Sequence, residues 1–270
     1  MSTTQRTTSG IAYEREGPAG GPPVVLLHAG IADRRMWEPL WQSLIGEQDV
    51  VRLDLRGFGG STTRPVGALS PVGDTLDTLA ALGVARCHLV GASFGAGVAV
   101  ELTLTRPDLV ASLLLCSPGG SLIAELTPDL EDFVAAERAA LAADDLEAAV
   151  EANLRWWVDS PHRDPGGRAL DADVCAQVAR MQRLAFEVTA GWHDVEEVEL
   201  DPPALVRLDE IRCPTTVLVG GYDLDAIQIA ARALIGGIPG ARRVDWPDTA
   251  HLPSLERPDD FLALVRECIR

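Results

Sequence analysis

Residues 86–102 read RCHLVGASFGAGVAVEL, and the fold turns on how that stretch is parsed. An apolar run from Cys87 to Ala92 leads into a lone hydroxyl at Ser93, and a second apolar run follows at once. The first run has the length of a buried strand, and the second carries helical spacing from Ala96 to Thr105. Only a sharp turn fits between them. Gly91 and Gly95 flank that turn, where a Cβ would meet neighbouring backbone. The serine at the corner is expected to be strained, with its hydroxyl held above the carboxyl edge of a sheet. Taken alone, the pentapeptide also fits a glycine-rich turn with no chemistry.

The rest of the chain repeats the alternation. Short runs rich in Val and Leu stand at 23–30, 49–57, 110–118 and 215–223, with a weaker one at 241–249. Their near-continuous apolar character predicts strands covered on both faces. Helical spacing over 76–82, 226–235 and 258–269 separates them, which predicts crossover units and a mostly parallel sheet. The segment GIAYEREG at 10–17 reads as an antiparallel edge strand. Residues 121–206 break the rhythm: they hold helical patterns such as PDLEDFVAAERAALAADD and DLEAAVEANLRWWV, a loop at 160–167, and a proline-marked return. This predicts a helical cap over the sheet, so that 1–120 and 207–270 form the core and 121–206 the lid.

Composition narrows the classes of function. The 270 residues suit one large domain with an insert. The formal net charge is −17, with no lysine among the basic side chains, which argues against nucleic acid or an anionic membrane as partner. No apolar run reaches membrane-spanning length, and MSTTQRTTSG lacks the apolar region of a secretory signal. The five cysteines form no C-x-x-C pair, which reads as buried thiols in a reduced, cytoplasmic protein, with neither a disulfide frame nor a metal site. The expected partner is a small-molecule substrate. Composition leaves monomer and homodimer both open.

A nucleophilic serine needs a base, and the base needs an orienting acid. His251 lies in WPDTAHLPSLERPDDF, just after the last strand, and Asp223 ends the strand run VLVGGYD. Both fall at the carboxyl edge that carries Ser93. The chain order serine, acid, histidine is the one that accompanies a G-x-S-x-G nucleophile elbow. Asp225 is the alternative acid, though an aspartate there also suits a helix cap. His28 and His88 lie in strands and read as structural. His162 and His193 lie in the lid. Asp54 and Arg56 are expected to pin the loop after their strand, Asp33 and Arg34 to lie at the surface, and Met36 and Trp37 to pack a helix.

Together these segments resemble the α/β-hydrolase superfamily. LLHAG resembles its HG segment after the third strand and DLRGFGGS its D-x-R-G-x-G-x-S loop after the fourth. GASFG is similar to the elbow, GGYD to the acid turn and AHLPSLERPDDF to the histidine loop. The resemblance runs from about residue 11 to the end of the chain. It implies an α/β-hydrolase fold with about eight strands flanked by helices, a helical cap, a Ser93–His251–Asp223 triad, and no cofactor or metal. It also implies an oxyanion hole from the backbone N–H groups of Phe94 and Gly30, with Ile31 the second choice because HAG stands where HG-x is usual. The lid's Trp156, Trp157 and Trp192, together with Ile31, are the candidate substrate contacts. Two adjacent tryptophans cannot both face one pocket from a regular helix, so at least one of Trp156 and Trp157 should pack elsewhere. The expected reaction is hydrolysis of a small-to-medium, mostly apolar ester or lactone. Cleavage of a carbon–carbon bond in a ring-cleavage diketone is the second reading, which a carboxylate-binding cap arginine such as Arg155 or Arg183 would favour. A non-catalytic ligand-binding protein on the same scaffold is the third.

Overall fold

The structure is a computed structural model that describes residues 3–164 and 170–270. Residues 165–167 of the loop expected at 160–167 lie outside the described residues. One eight-stranded sheet organises the chain: β1 (Gln5–Arg6), β2 (Ala12–Glu16), β3 (Val24–Leu27), β4 (Val50–Leu53), β5 (Cys87–Ala92), β6 (Val110–Cys116), β7 (Thr215–Gly220) and β8 (Arg242–Trp246). The spatial order is β1-β2-β4-β3-β5-β6-β7-β8. All pairings from β4 to β8 are parallel, whereas β2 runs antiparallel to β4. The segment at 10–17 is therefore antiparallel as expected, but it is not the edge, because Gln5 and Arg6 add a two-residue strand outside it. So short a strand carries no periodicity that a sequence reading can detect.

Strand residues alternate between two apolar clusters, as the period of two requires. Val25, Leu27, Leu89, Leu113, Leu115 and Val217 join one cluster with α2 (Pro71–Ala81), α3 (Phe94–Thr105) and α7 (Asp225–Gly237). Val24, Leu26, Val90, Leu114 and Leu218 join the other with α1 (Glu38–Ile45) and with α9 (Pro258–Cys268), which follows the short α8 (Pro253–Glu256). Helices cover both faces, which is why the strands read as unbroken apolar runs. α3 is buried on nearly every side, so its residues from Gly95 to Val100 are small or branched without a polar stripe. α2 begins earlier than its spacing suggests, because Ser70 caps it by accepting the Gly73 N–H at 3.1 Å and Pro71 sets its first turn.

The insert between β6 and β7 carries α4 (Pro128–Ala142), α5 (Leu146–Asn153), a π-helical turn (Leu154–Asp159) and α6 (Ala172–Thr189). Its return segment pairs with the core backbone at an isolated parallel bridge between Leu69 and Glu197. Among the described residues no helix is long and apolar enough to cross a membrane.

The strand order places the site. From β3 the chain moves outward to β4, then returns across β3 to β5 and continues the other way to β6. The connections after β3 and β5 part to opposite sides and leave a crevice at their carboxyl ends, the usual place for a ligand in such sheets. The crevice closes at its base by backbone contact: the Gly95 N–H donates to His28 O at 3.1 Å. A Cβ on Gly95 would stand 2.5 Å from Leu27 O and 2.6 Å from His28 O. Leu27 ends β3 and pairs with Leu53 and Gly91, and the His28 carbonyl is held by the Gly95 N–H itself. Gly95→Ala is therefore expected to lower stability by roughly 1–3 kcal/mol or more, while Gly20→Ala, with open space around it, should stay within about 0.5 kcal/mol of the parent. Denaturant midpoints of the two variants check this, and equal midpoints would remove the close approach as a constraint.

Candidate functional site

Ser93 sits between β5 and α3 with φ 51° and ψ −115°, a conformation that costs a non-glycine residue about 1–3 kcal/mol. Backbone hydrogen bonds hold it there, among them one from the Gly97 N–H to the Ser93 carbonyl at 3.3 Å. The Ser93 N–H donates to Cys116 O at 2.9 Å, and its carbonyl also accepts from Ala96 at 2.8 Å and Gly119 at 3.2 Å. The glycines at 91 and 95 permit the turn: a Cβ on Gly91 would stand 2.8 Å from Ala96 Cα. Gly119 backs the hydroxyl, since a Cβ there would lie 3.0 Å from Ser93 Oγ. That glycine went unremarked in the sequence, where it is one of a Gly-Gly pair after β6 with no local signal of its role.

Ser93 Oγ lies 2.8 Å from His251 Nε2. On the other side of the ring, Nδ1 lies 2.8 Å and 3.0 Å from the two carboxylate oxygens of Asp223. A carboxylate only accepts, so Nδ1 carries the proton and Nε2 is left to accept from the serine hydroxyl. Asp223 Oδ1 also accepts the Leu224 N–H at 2.9 Å, which fixes the carboxylate's plane. His251 and Asp223 are each only 3% exposed. The arrangement can move the serine proton onto His251 while the buried carboxylate stabilises the resulting charge.

Asp225 is drawn elsewhere. It opens α7, and its N–H donates to Asp129 Oδ2 at 2.8 Å. The side chains of Asp129, His162 and Asp225 bring ligand atoms within 4.8 Å of one another, the one such trio among the described residues that can offer ligands to a metal ion. Asp129 is already engaged with Thr127, the Leu130 N–H and His162. Those hydrogen bonds outweigh its burial and hold its carboxyl below the usual range.

The second side of the site is the loop after β3. Among the described residues neither the Phe94 N–H nor the Gly30 N–H meets a protein acceptor, and a Cβ on Gly30 would face the Phe94 Cβ at 3.6 Å. The loop at Gly30 thus lies against Phe94, the residue after Ser93. Ile31 is 4% exposed and belongs to the cluster packed with α1 and α9. His28, completely buried, donates from Nδ1 to Ala29 O at 2.9 Å and accepts the Leu55 N–H at Nε2 at 2.9 Å. Burial pushes its pKa below the ordinary imidazole value, so it ties the loops after β3 and β4 as a neutral ring. Asp33 and Arg34 do not lie at the surface as the sequence suggested. Asp33 is fully buried and caps the turn at Arg34–Trp37. The Arg34 guanidinium pairs with Glu14 at 3.1 Å and with Asp54. Asp54 accepts the Arg34 and Gly60 N–H groups at 2.8 Å and 2.6 Å, pinning the loop after β4. Their residue types gave no sign of this, since buried Asp–Arg pairs form across strands distant in sequence.

The lid residues separate. Trp157 lies over His251, with ring centroids 4.4 Å apart. Trp156 and Trp157 both contact Phe133, at 6.2 Å and 5.1 Å between centroids. Of the adjacent pair only Trp157 reaches His251, whereas Trp156 packs on Phe133 and under the Arg155 guanidinium; both stand on the π-helical turn. Trp192 lies away from His251. It stands 3.3 Å from where a Cβ on Gly57 would be and lines a cavity of about 830 Å³ with Phe186, Leu146, Leu69 and His193.

The family comparison supports the same fold. Residues 24–264 match the model of the alpha/beta hydrolase family.

The chain belongs to that family.

It is accordingly a hydrolase enzyme. It is 26% identical over 259 residues to a Klebsiella pneumoniae protein provisionally named carbamate hydrolase RutD, covering 93% of this chain and 92% of that one. It is 24% identical over 264 residues to 3-oxoadipate enol-lactonase 1 of Acinetobacter baylyi, covering 97% and 93%. Among solved structures it is similar to Est816, described as an N-acyl homoserine lactone degrading enzyme, with TM-score 0.73, 25% identity, and 95% and 96% of the two chains covered.

The geometry distinguishes the two candidate acids. Asp223→Asn is expected to cost roughly four orders of magnitude in kcat, as an amide favours the wrong imidazole tautomer. Asp225→Asn leaves His251 untouched and should cost less than about tenfold. Steady-state turnover of both variants checks the ranking, and the reverse order would reassign the acid.

Proposed function

We propose that this hydrolase cleaves a small-to-medium, mostly apolar carboxylic ester or lactone through an acyl-enzyme on Ser93. The observation that carries the reading is the continuous chain of hydrogen bonds from Ser93 Oγ through His251 to Asp223. In this mechanism Ser93 Oγ attacks the carbonyl carbon as its proton passes to His251 Nε2. The developing oxyanion accepts from the Phe94 and Gly30 N–H groups, donors typically worth about 100- to 1,000-fold in rate. His251 then protonates the leaving oxygen as the tetrahedral intermediate collapses. Water, deprotonated by the same ring, attacks the acyl group, and the proton returns to Ser93 as the acid is released. The segment 121–206 acts as the lid that excludes water and selects substrates.

Uncharged substrates fit the surroundings better than carboxylates. Of the two cap arginines whose freedom would favour a diketone, Arg155 lies over the Trp156 ring at 4.7 Å and Arg183 pairs with Glu147. The aromatic ring over His251 is apolar, which suits an ester or lactone of low polarity. The relatives whose names specify a lactone point to the same bond type.

Ser93→Ala tests the nucleophile. It should reduce hydrolysis of p-nitrophenyl esters by up to about a millionfold while leaving the melting temperature near that of the parent. Retention of more than about a tenth of the activity would remove Ser93 from the mechanism.

The lid is tested by chain length. Trp157→Ala should change kcat/KM for p-nitrophenyl decanoate relative to the acetate by about 10-fold or more. Trp192→Ala should act on the long ester alone. Equal losses on both esters in both variants would indicate scaffold damage and count against a substrate-selecting lid.

A further inference from the structure

We propose that Arg163 and Glu256 are positioning residues through which the lid holds the histidine loop in register with Ser93. The inference rests on the reading of Ser93, His251 and Asp223 given above. Glu256 spans two partners from inside the histidine loop. Its Oε1 accepts the N–H of Ala250, the residue before His251, at 2.8 Å, and its Oε2 accepts from Arg163 Nη2 at 2.7 Å. Arg163 belongs to the lid, and its guanidinium lies 4.8 Å from the centre of the Tyr222 ring. Tyr222 immediately precedes Asp223, and its carbonyl accepts from the Ser160 hydroxyl of the same lid segment. The stretch Ser160–Arg163 therefore touches the residue before the acid and, through one carboxylate, the residue before the base.

The pair is buried: the side chains of Arg163 and Glu256 are 14% and 4% exposed. Burial pushes the Glu256 carboxyl up, opposed by the Ala250 N–H and by Arg163. A carboxylate in that position keeps its geometry only while a cation faces it. Without Arg163 it must either protonate or draw in water, and either change alters its grip on the Ala250 N–H. Displacements of that size at a reacting group cost rate even when the groups themselves are intact. The seating of the lid thus sets the placement of His251, so the segment that selects substrate also aligns the base.

The test uses the full chain with p-nitrophenyl acetate and, separately, the second-order rate at which a fluorophosphonate labels Ser93. The labelling rate reports activation of the hydroxyl independently of lid-borne selectivity. Arg163→Met should lower both kcat and the labelling rate on the order of 10- to 100-fold with KM changed by less than about threefold. Glu256→Gln keeps a single acceptor oxygen and turns an amide N–H toward the other donor, so it can serve the Ala250 N–H or Arg163 but not both and should lower both rates by about fivefold or more. The double variant Arg163→Met with Glu256→Gln leaves no buried unpaired charge, so it keeps the measurement available if the single variant fails to fold. It should remain as slow as Arg163→Met, because in both variants no ion pair ties the lid to the histidine loop. Arg64→Ala, which breaks an exposed lid-to-core ion pair with Asp194, serves as the control and should match the parent. Parental rates in either variant lacking Arg163, or a change confined to KM, would overturn the proposal. A parent that neither turns over esters nor labels at Ser93 would overturn the underlying reading of the site, a result distinguishable from the others because it appears before any substitution.

Discussion

The contact on which the rest depends is the approach of Gly95 to the carbonyls of Leu27 and His28. It brings the start of α3 against the end of β3 with no side chain between them. Two consequences follow from that single closeness. The helix start at Phe94 then lies beside the loop that carries Gly30. The residue before the helix is forced to turn within one position, which drives Ser93 to a positive φ and lifts its hydroxyl out of the sheet. Strain of this kind persists only where surrounding bonds over-determine it, and the hydrogen bonds from β6 and the Gly119 loop supply that.

Around this corner the chain spends buried polar groups on holding loops. His28, Asp54 and Arg34 link the ends of β3 and β4, while Arg56 pairs with Asp74 and reaches the carbonyls of Ser9 and Thr63. Buried ion pairs contribute modestly to net stability because desolvation offsets attraction. Their value here is directional: each satisfies backbone groups of a loop that has no strand partner. The loop after β3 is therefore tied to the loop after β4 through side chains and not through strand pairing.

The insert between β6 and β7 meets the sheet through aromatic contact and through loops. Phe133 gathers Trp156 and Trp157, and the π-helical turn that carries them brings one indole over the imidazole. π-turns within helices frequently mark functional positions. In this chain the turn ends at Ser160, whose positive φ redirects the backbone toward Tyr222.

Much of the fold was legible because its signals are local. Val- and Leu-rich runs identify strands covered on both faces, and the spacing of Gly91, Ser93 and Gly95 identifies the corner; both follow from sterics within a few residues. The order of Ser93, Asp223 and His251 was legible for a related reason: each ends or follows a strand, and parallel strands deliver their carboxyl ends to one edge. The oxyanion donors were expected only from family resemblance, since no side chain announces a backbone N–H. What the sequence could not decide were pairings between residues far apart in the chain. The burial of Asp33 and Arg34, the divergence of Trp157 from Trp192, and the ion pair of Arg163 with Glu256 each depend on the relative seating of lid, loops and sheet. A side chain's type states which bonds it can make, but its partner is set by which segments packing brings within reach, and only the tertiary structure decides that.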